Sequence, residues 1–160
     1  MFRYLAASLM LLTTVCSGAT PKEEAQELVD TLLPFAEQTL AKYGELYPFG
    51  AQMTSSGKVE AAAIHSEQEH PPSSELIEIL HGAFAAKARA GEIRASGLAY
   101  DVRVQALGAS EKSDAVAIEL EHREGYNVIV YFPYTLAGGK VHLLSPFTSA
   151  GVHRVFASGS

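Results

Sequence analysis

Residues 111–134, EKSDAVAIELEHREGYNVIVYFPY, constrain the fold more than any other stretch. Val116, Ile118 and Leu120 alternate with Ala117, Glu119 and Glu121, which is the period of a half-buried strand. A second apolar run, Val128 to Phe132, begins just beyond Glu124-Gly125. Two such runs around a tight turn make an antiparallel hairpin, and a hairpin is stable only when further strands or a helix cover its apolar face. The chain is therefore committed to an antiparallel sheet.

A two-residue turn at Glu124-Gly125 sets Arg123 opposite Tyr126, His122 opposite Asn127, Leu120 opposite Ile129 and Ile118 opposite Tyr131. Opposed residues share a face, so Val116, Ile118, Leu120, Ile129 and Tyr131 form one apolar surface. For the preceding strand, one register matches apolar with apolar. It sets Val104 against Ile118, Val102 against Leu120 and Tyr100 against His122, with Arg103 facing Glu119 on the reverse side. Tyr100, His122 and Asn127 are then expected in a row at one end of the apolar face. A phenol, an imidazole and an amide together can line a small ligand site, and equally they can satisfy one another where a core ends. Catalysis by His122 needs an orienting partner and a nucleophile, and the local pattern supplies neither. Val128, Val130 and Phe132 point away from Ile129 and Tyr131, so this strand is apolar on both sides. That second side is read as intrachain cover or as a homodimer or partner surface.

Elsewhere the elements are well signalled. Thr20, Pro21 and Glu23 are an N-cap, a first-turn proline and a capping-box glutamate. Leu28, Leu32, Ala36, Leu40 and Tyr43 follow at helical spacing, and Gly44 stops the helix. Pro34 inside this run predicts a kink or a break. ELYPFGAQM, the turn TSSGK and VEAAAIH read as a short hairpin. A second helix, capped by Ser73 or Ser74, carries Leu76, Ile77, Leu80, Phe84 and Ala88 and closes at Gly91. Strands at 96–107, 115–123 and 126–134 and a fourth at 141–147 complete the chain. The expected class is α+β, an antiparallel sheet of five to six strands with two helices in the order α-β-β-α-β-β-β-β. That order resembles the roadblock and profilin-like domains, in which helices cover one face of a meandering sheet. Residues 20–148 are expected to be one domain and residues 149–160 a loosely ordered tail.

The ends and the charge narrow the function. Arg3, the eleven-residue apolar run Leu5 to Val15 and the small residues Ser17-Gly18-Ala19 have the pattern of a signal peptide over residues 1–19, too short to span a bilayer. Lipid attachment at Cys16 is the alternative, disfavoured by Thr13 and Val15. Losing residues 1–19 takes the formal charge from −6 to −7, because Arg3 is their one charged residue. Such a balance opposes nucleic acid and anionic membrane surfaces alike. The sole cysteine, Cys16, leaves with the leader, so no disulfide, thiol nucleophile or thiolate metal site is expected in the mature chain. The setting this suggests is secreted or periplasmic. His65 and His70, with two carboxylates between them, lie in a loop at a spacing that is not a recognised ligand pattern, and neither a metal nor any cofactor is implied. Tyr47-Pro48-Phe49 and Phe132-Pro133-Tyr134 mark strand ends, and Tyr47 and Phe49 are candidate aromatic anchors for a partner.

YGELYPFGA at 43–51 and SDAVAIELEHREGYNVIVYFPY at 113–134 resemble a group of uncharacterised bacterial proteins with YG-x-x-YPFGA and SDA…EHR-x-G…PY segments. The resemblance implies a shared domain over residues 25–147 and carries no activity or residue role with it. The expected function is an exported, non-enzymatic binding domain acting through a protein partner, inhibitor-like or immunity-like. Small-ligand binding at Tyr100, His122 and Asn127 is the second expectation, and hydrolysis using His122 the third.

Overall fold

A computed structural model describes residues 18–62, 64 and 71–156. Most of the expected leader, His65, His70 and the last four residues lie outside the described residues. The chain runs α1 (Pro21–Tyr43), β1 (Phe49–Thr54), β2 (Val59–Ala62), α2 (Ser73–Arg89), β3 (Ile93–Val104), β4 (Ser113–His122), β5 (Asn127–Ala137), β6 (Lys140–Leu143) and β7 (Phe147–Ala150). The strands pair antiparallel in the order β2-β1-β3-β4-β5-β6, and β7 lies alongside β5. The class is α+β with an antiparallel sheet, as the sequence predicts. No helix among the described residues is long and apolar enough to cross a membrane.

Helix α1 starts as its sequence directs. The Thr20 backbone N–H donates to Glu23 Oε2 at 2.7 Å and the Glu23 N–H donates to Thr20 Oγ1 at 3.3 Å, closing the capping box. The expected break at Pro34 does not occur, and the helix runs through it. Pro34 and Asp30 are both exposed, so the carbonyl that loses its helical partner faces water. Helix α2 also departs from expectation. Its N-cap is Pro72, held near φ −58°, and no serine side chain caps it. The Pro72 carbonyl accepts the Glu75 and Leu76 N–H groups instead.

The two helices lie on opposite faces of the sheet rather than on one. Leu28, Leu32, Ala36 and Leu40 of α1 pack with Ala51, Met53, Ala95, Ala99, Val116, Ile118 and Leu120. Leu80 and Phe84 of α2 pack with Ile93, Leu98 and Val155 on the other side. Two strand glycines let the helices approach this closely. A Cβ on Gly97 would stand 2.7 Å from Leu32 of α1, and one on Gly50 would stand 2.7 Å from Phe84 of α2.

The registers differ from the sequence-based ones by odd numbers, which exchanges faces. Across β3 and β4, Ala95 opposes His122, Ala99 opposes Ile118 and Tyr100 opposes Ala117. Across β4 and β5, Leu120 opposes Val128 and Glu121 opposes Asn127. The β4–β5 turn has three residues, Arg123 to Gly125. The His122 N–H donates to the Tyr126 carbonyl at 2.8 Å, and Gly125 takes the left-handed conformation at φ 90°. A type I turn closed by a left-handed residue is the three-residue hairpin form.

The C-terminal segment corrects the expectation of a loose tail as far as Phe156. Residues 147–150 pair with Val128–Tyr131 of β5, and Val155 is 6% exposed within the α2-side core. Strand β5 changes partner from β7 to β6 around Pro133, which has no N–H to offer a ladder.

Candidate functional site

The expected row of Tyr100, His122 and Asn127 does not form. His122 faces α1, whereas Tyr100 and Asn127 face α2, because the changed registers invert two of the three relations. Each residue belongs to a different arrangement.

His122, 3% exposed, meets a carboxylate from the first turn of α1. Its Nε2 lies 2.8 Å from Glu24 Oε2, and Glu24 Oε1 pairs with the Arg94 guanidinium of β3. The Glu124 N–H donates to His122 Nδ1 at 3.1 Å, so Nδ1 carries the lone pair and Nε2 carries the proton that Glu24 accepts. Both ring nitrogens are thus committed. Beside this network opens a polar cleft of about 190 Å³, lined by Gly18, Ala19, Glu24, Arg94, His122, Arg123 and Glu124.

On the α2 side, Glu119 receives two donors. Tyr100 Oη donates to its Oε1 at 2.9 Å, and His81 Nε2 of α2 lies 2.9 Å from its Oε2. Burial works to raise the Glu119 pKa, but the hydrogen bonds from His81 and Tyr100 outweigh it and hold the carboxyl below its ordinary range. Burial, then the Glu119 charge, pushes the Tyr100 phenol well above its usual value. Glu121, also buried, accepts three consecutive backbone N–H groups, from Arg154 at 3.1 Å, Val155 at 2.9 Å and Phe156 at 3.0 Å. His153 Nδ1 adds a contact at 3.2 Å. Asn127 sits opposite Glu121 and packs on Gly151, where a Cβ would collide with Oδ1 at 1.8 Å.

The candidate partner residues also separate. Val128, Val130 and Phe132 pack against the α1 core, so the second apolar side of β5 has ordinary intrachain cover. Tyr47 is 45% exposed. Phe49 forms a tilted ring pair with Phe35 of α1, centroids 4.7 Å apart. Those two rings, with Thr31, Leu32, Gly50, Ala51, Ala61 and Ala62, line an apolar groove of about 220 Å³ between α1 and the β1–β2 hairpin. Phe35 is 54% exposed there. Strand β2 is the outer strand on this side of the sheet.

Sequence reasoning gave no site role to Glu24, His81, Arg94, Glu121 or His153. Glu24 had a readable signal, since Glu24, Leu28, Leu32, Ala36 and Leu40 recur every four residues along one helix face. The groove residue Phe35 had none, because it lies off that stripe. Chemically, the buried His81 and His122 and the exposed His153 each partner a carboxylate, an arrangement that anchors elements on the sheet. Among the described residues no three metal-ligating side chains converge. No protein-family model, no curated protein and no solved structure matches the chain.

Proposed function

We propose that the chain is an exported, non-enzymatic binding domain acting through a protein partner, in the manner of an inhibitor or immunity protein. The Phe35–Phe49 groove beside the outer strand β2 is the observation that supports this reading. An extended apolar segment added antiparallel to β2 gains main-chain hydrogen bonds from the strand and sends alternate side chains into the groove. The floor is built from Ala51 and Ala61, small enough to leave room for a side chain, and the walls are aromatic, the residue type that dominates binding surfaces. The formal charge of −6 makes a basic partner the complementary one. The test places a photo-crosslinking residue at Tyr47 in the full chain, with one at Ile79 on α2 as control. A single defined adduct from Tyr47 that Phe35→Asp abolishes is expected. Equal adducts from both positions, or an adduct that survives Phe35→Asp, overturns the reading.

Small-ligand binding is a second reading, favoured by the polar cleft beside His122, where Arg94 and Arg123 suit a small carboxylate or phosphate. Inorganic phosphate and citrate are the probes, with chemical-shift changes at His122 as readout. No change at millimolar probe ends it. Both nitrogens of His122 are occupied, so hydrolysis draws no support from that ring.

A further inference from the structure

The C-terminal segment is held as a separable ligand would be. Its ladder pairs Phe147, Thr148, Ser149 and Ala150 with Tyr131, Val130, Ile129 and Val128. Phe147 stacks on Tyr131 with centroids 4.9 Å apart, Glu121 grips three backbone N–H groups in succession, and Val155 fills a pocket of Leu80, Phe84, Ile93 and Leu98. Arg154 reaches Glu78 of α2 at 3.2 Å. None of these contacts depends on the covalent link to β6, which is the exposed tripeptide Leu144-Ser145-Pro146. We infer that the groove between β5 and α2, filled in one molecule by its own residues 147–156, also accepts that segment from a second copy, so that two molecules exchange C-terminal segments.

The physical case rests on what release exposes. Without the segment, the β5 edge presents unpaired backbone groups, Glu121 loses the backbone donors it accepts from, and the Val155 pocket opens to water. An open strand edge invites another strand, and an apolar pocket open to water is unfavourable. The same ten residues from another copy restore every lost contact, because the recognition is largely main-chain. Closed monomers and the exchanged dimer then differ only in linker strain and the entropy of association, which makes exchange a matter of concentration. This inference stands apart from the Phe35–Phe49 groove, and its test leaves that groove intact.

Two full-length chains, both Cys16→Ser, carry Ile129→Cys in one and Ser149→Cys in the other. These positions are direct cross-strand partners, so only exchange brings the two thiols together between copies. After brief partial unfolding at high concentration and reoxidation, the mixed disulfide dimer is expected roughly tenfold above either like–like dimer. A chain bearing both cysteines closes on itself at low concentration, which verifies the β5–β7 pairing. Failure of that closure, or a mixed dimer no more abundant than the like–like ones, overturns the inference. If the cysteine chains do not fold, Glu121→Gln and Val155→Asp chains are mixed and followed by light scattering. One supplies an intact segment and the other an intact groove, so the mixture forms more dimer than either chain alone at the same total concentration. A mixture no more dimeric than its separate components also overturns it.

Discussion

Glu24→Ala weighs the Glu24–His122–Arg94 network on the α1 side of the sheet. Glu24 is 6% exposed and His122 3%, and the Arg94 side chain is about three-quarters buried, at 23% exposure. Removing the carboxylate strips the acceptor from an imidazole N–H and from a guanidinium at once. Hydrogen bonds to charged groups contribute about 1.5–3 kcal/mol each. Breaking a buried ion pair by deleting one partner costs about 3–5 kcal/mol, the range that two such bonds also reach. Against a domain stability of about 5–15 kcal/mol, this lowers the urea midpoint strongly with an unchanged slope. Glu24→Gln keeps one carbonyl acceptor and is expected to lose roughly half as much. Replacing all three residues together, Glu24→Leu, His122→Leu and Arg94→Met, should recover most of the loss, since apolar groups of similar volume carry no desolvation cost. A Glu24→Ala midpoint within about 0.5 kcal/mol of wild type, the behaviour of an exposed substitution, refutes the buried network.

The glycines give a signed set: Gly97→Ala and Gly50→Ala should each lose about 1–3 kcal/mol by overpacking against Leu32 and Phe84, whereas Gly82→Ala should gain about 0.4–1 kcal/mol in thermal unfolding. Gly82 lies exposed within α2, and a Cβ there meets nothing within 4 Å. Gly125→Ala should cost about 1–2 kcal/mol, and Gly125→Asn less, because the turn needs a left-handed residue. Tyr100 and Tyr134 are both pushed up, by burial first and then by Glu119 and Asp101 respectively. A raised folded pKa gives stability that is full below the unfolded value near 10 and lost as pH rises through the folded one. Ultraviolet titration should therefore show these two phenols ionising last, together with alkaline unfolding. Glu119 has the opposite sign, since its depressed pKa contributes stability above its unfolded value near 4.5 that disappears as pH falls through the folded pKa. Tyr100→Phe should weaken stability at neutral pH and converge with wild type in acid, as read from urea midpoints across that window.

Element types were largely legible because their local signals agree. The capping box at Thr20–Glu23 and the four-residue spacing of Leu28, Leu32 and Leu40 leave no alternative to a helix. Registers were less legible, for two reasons. A two-residue hairpin turn demands positive φ at Glu124 or glycine at the first position, and the chain offers neither; Glu-Gly suits the three-residue form, where glycine closes the turn. Between β3 and β4, matching large aliphatics put Val102 and Val104 opposite Leu120 and Ile118. The face that meets α1 instead carries Ala95, Gly97 and Ala99, and the helix supplies the volume with Leu28 and Leu32. Small residues facing a close-packed helix look like non-core positions when read from size alone. Strand β7 was hidden because it is held by its ladder with Val128–Tyr131, and the residues beyond it by Glu121, a carboxylate thirty-odd residues away.

The end of β4 explains why the observed register excludes its neighbours. Glu119 receives α2 through His81, Glu121 receives the C-terminal segment, and His122 receives α1 through Glu24. Because successive side chains alternate, both carboxylates fall on the α2 face and the imidazole on the α1 face. A slip of one residue would drive Glu119 and Glu121 against Leu28 and Leu32, leave Glu24 and Arg94 without His122, and strand the C-terminal backbone. Each of those events leaves a buried charge or donor unpaired, and their costs fall on the same misregistered state. The hairpin's aliphatic residues drive its burial under either parity. The polar groups at its end decide which parity survives, and in doing so they assign each helix and the C-terminal segment to its side of the sheet.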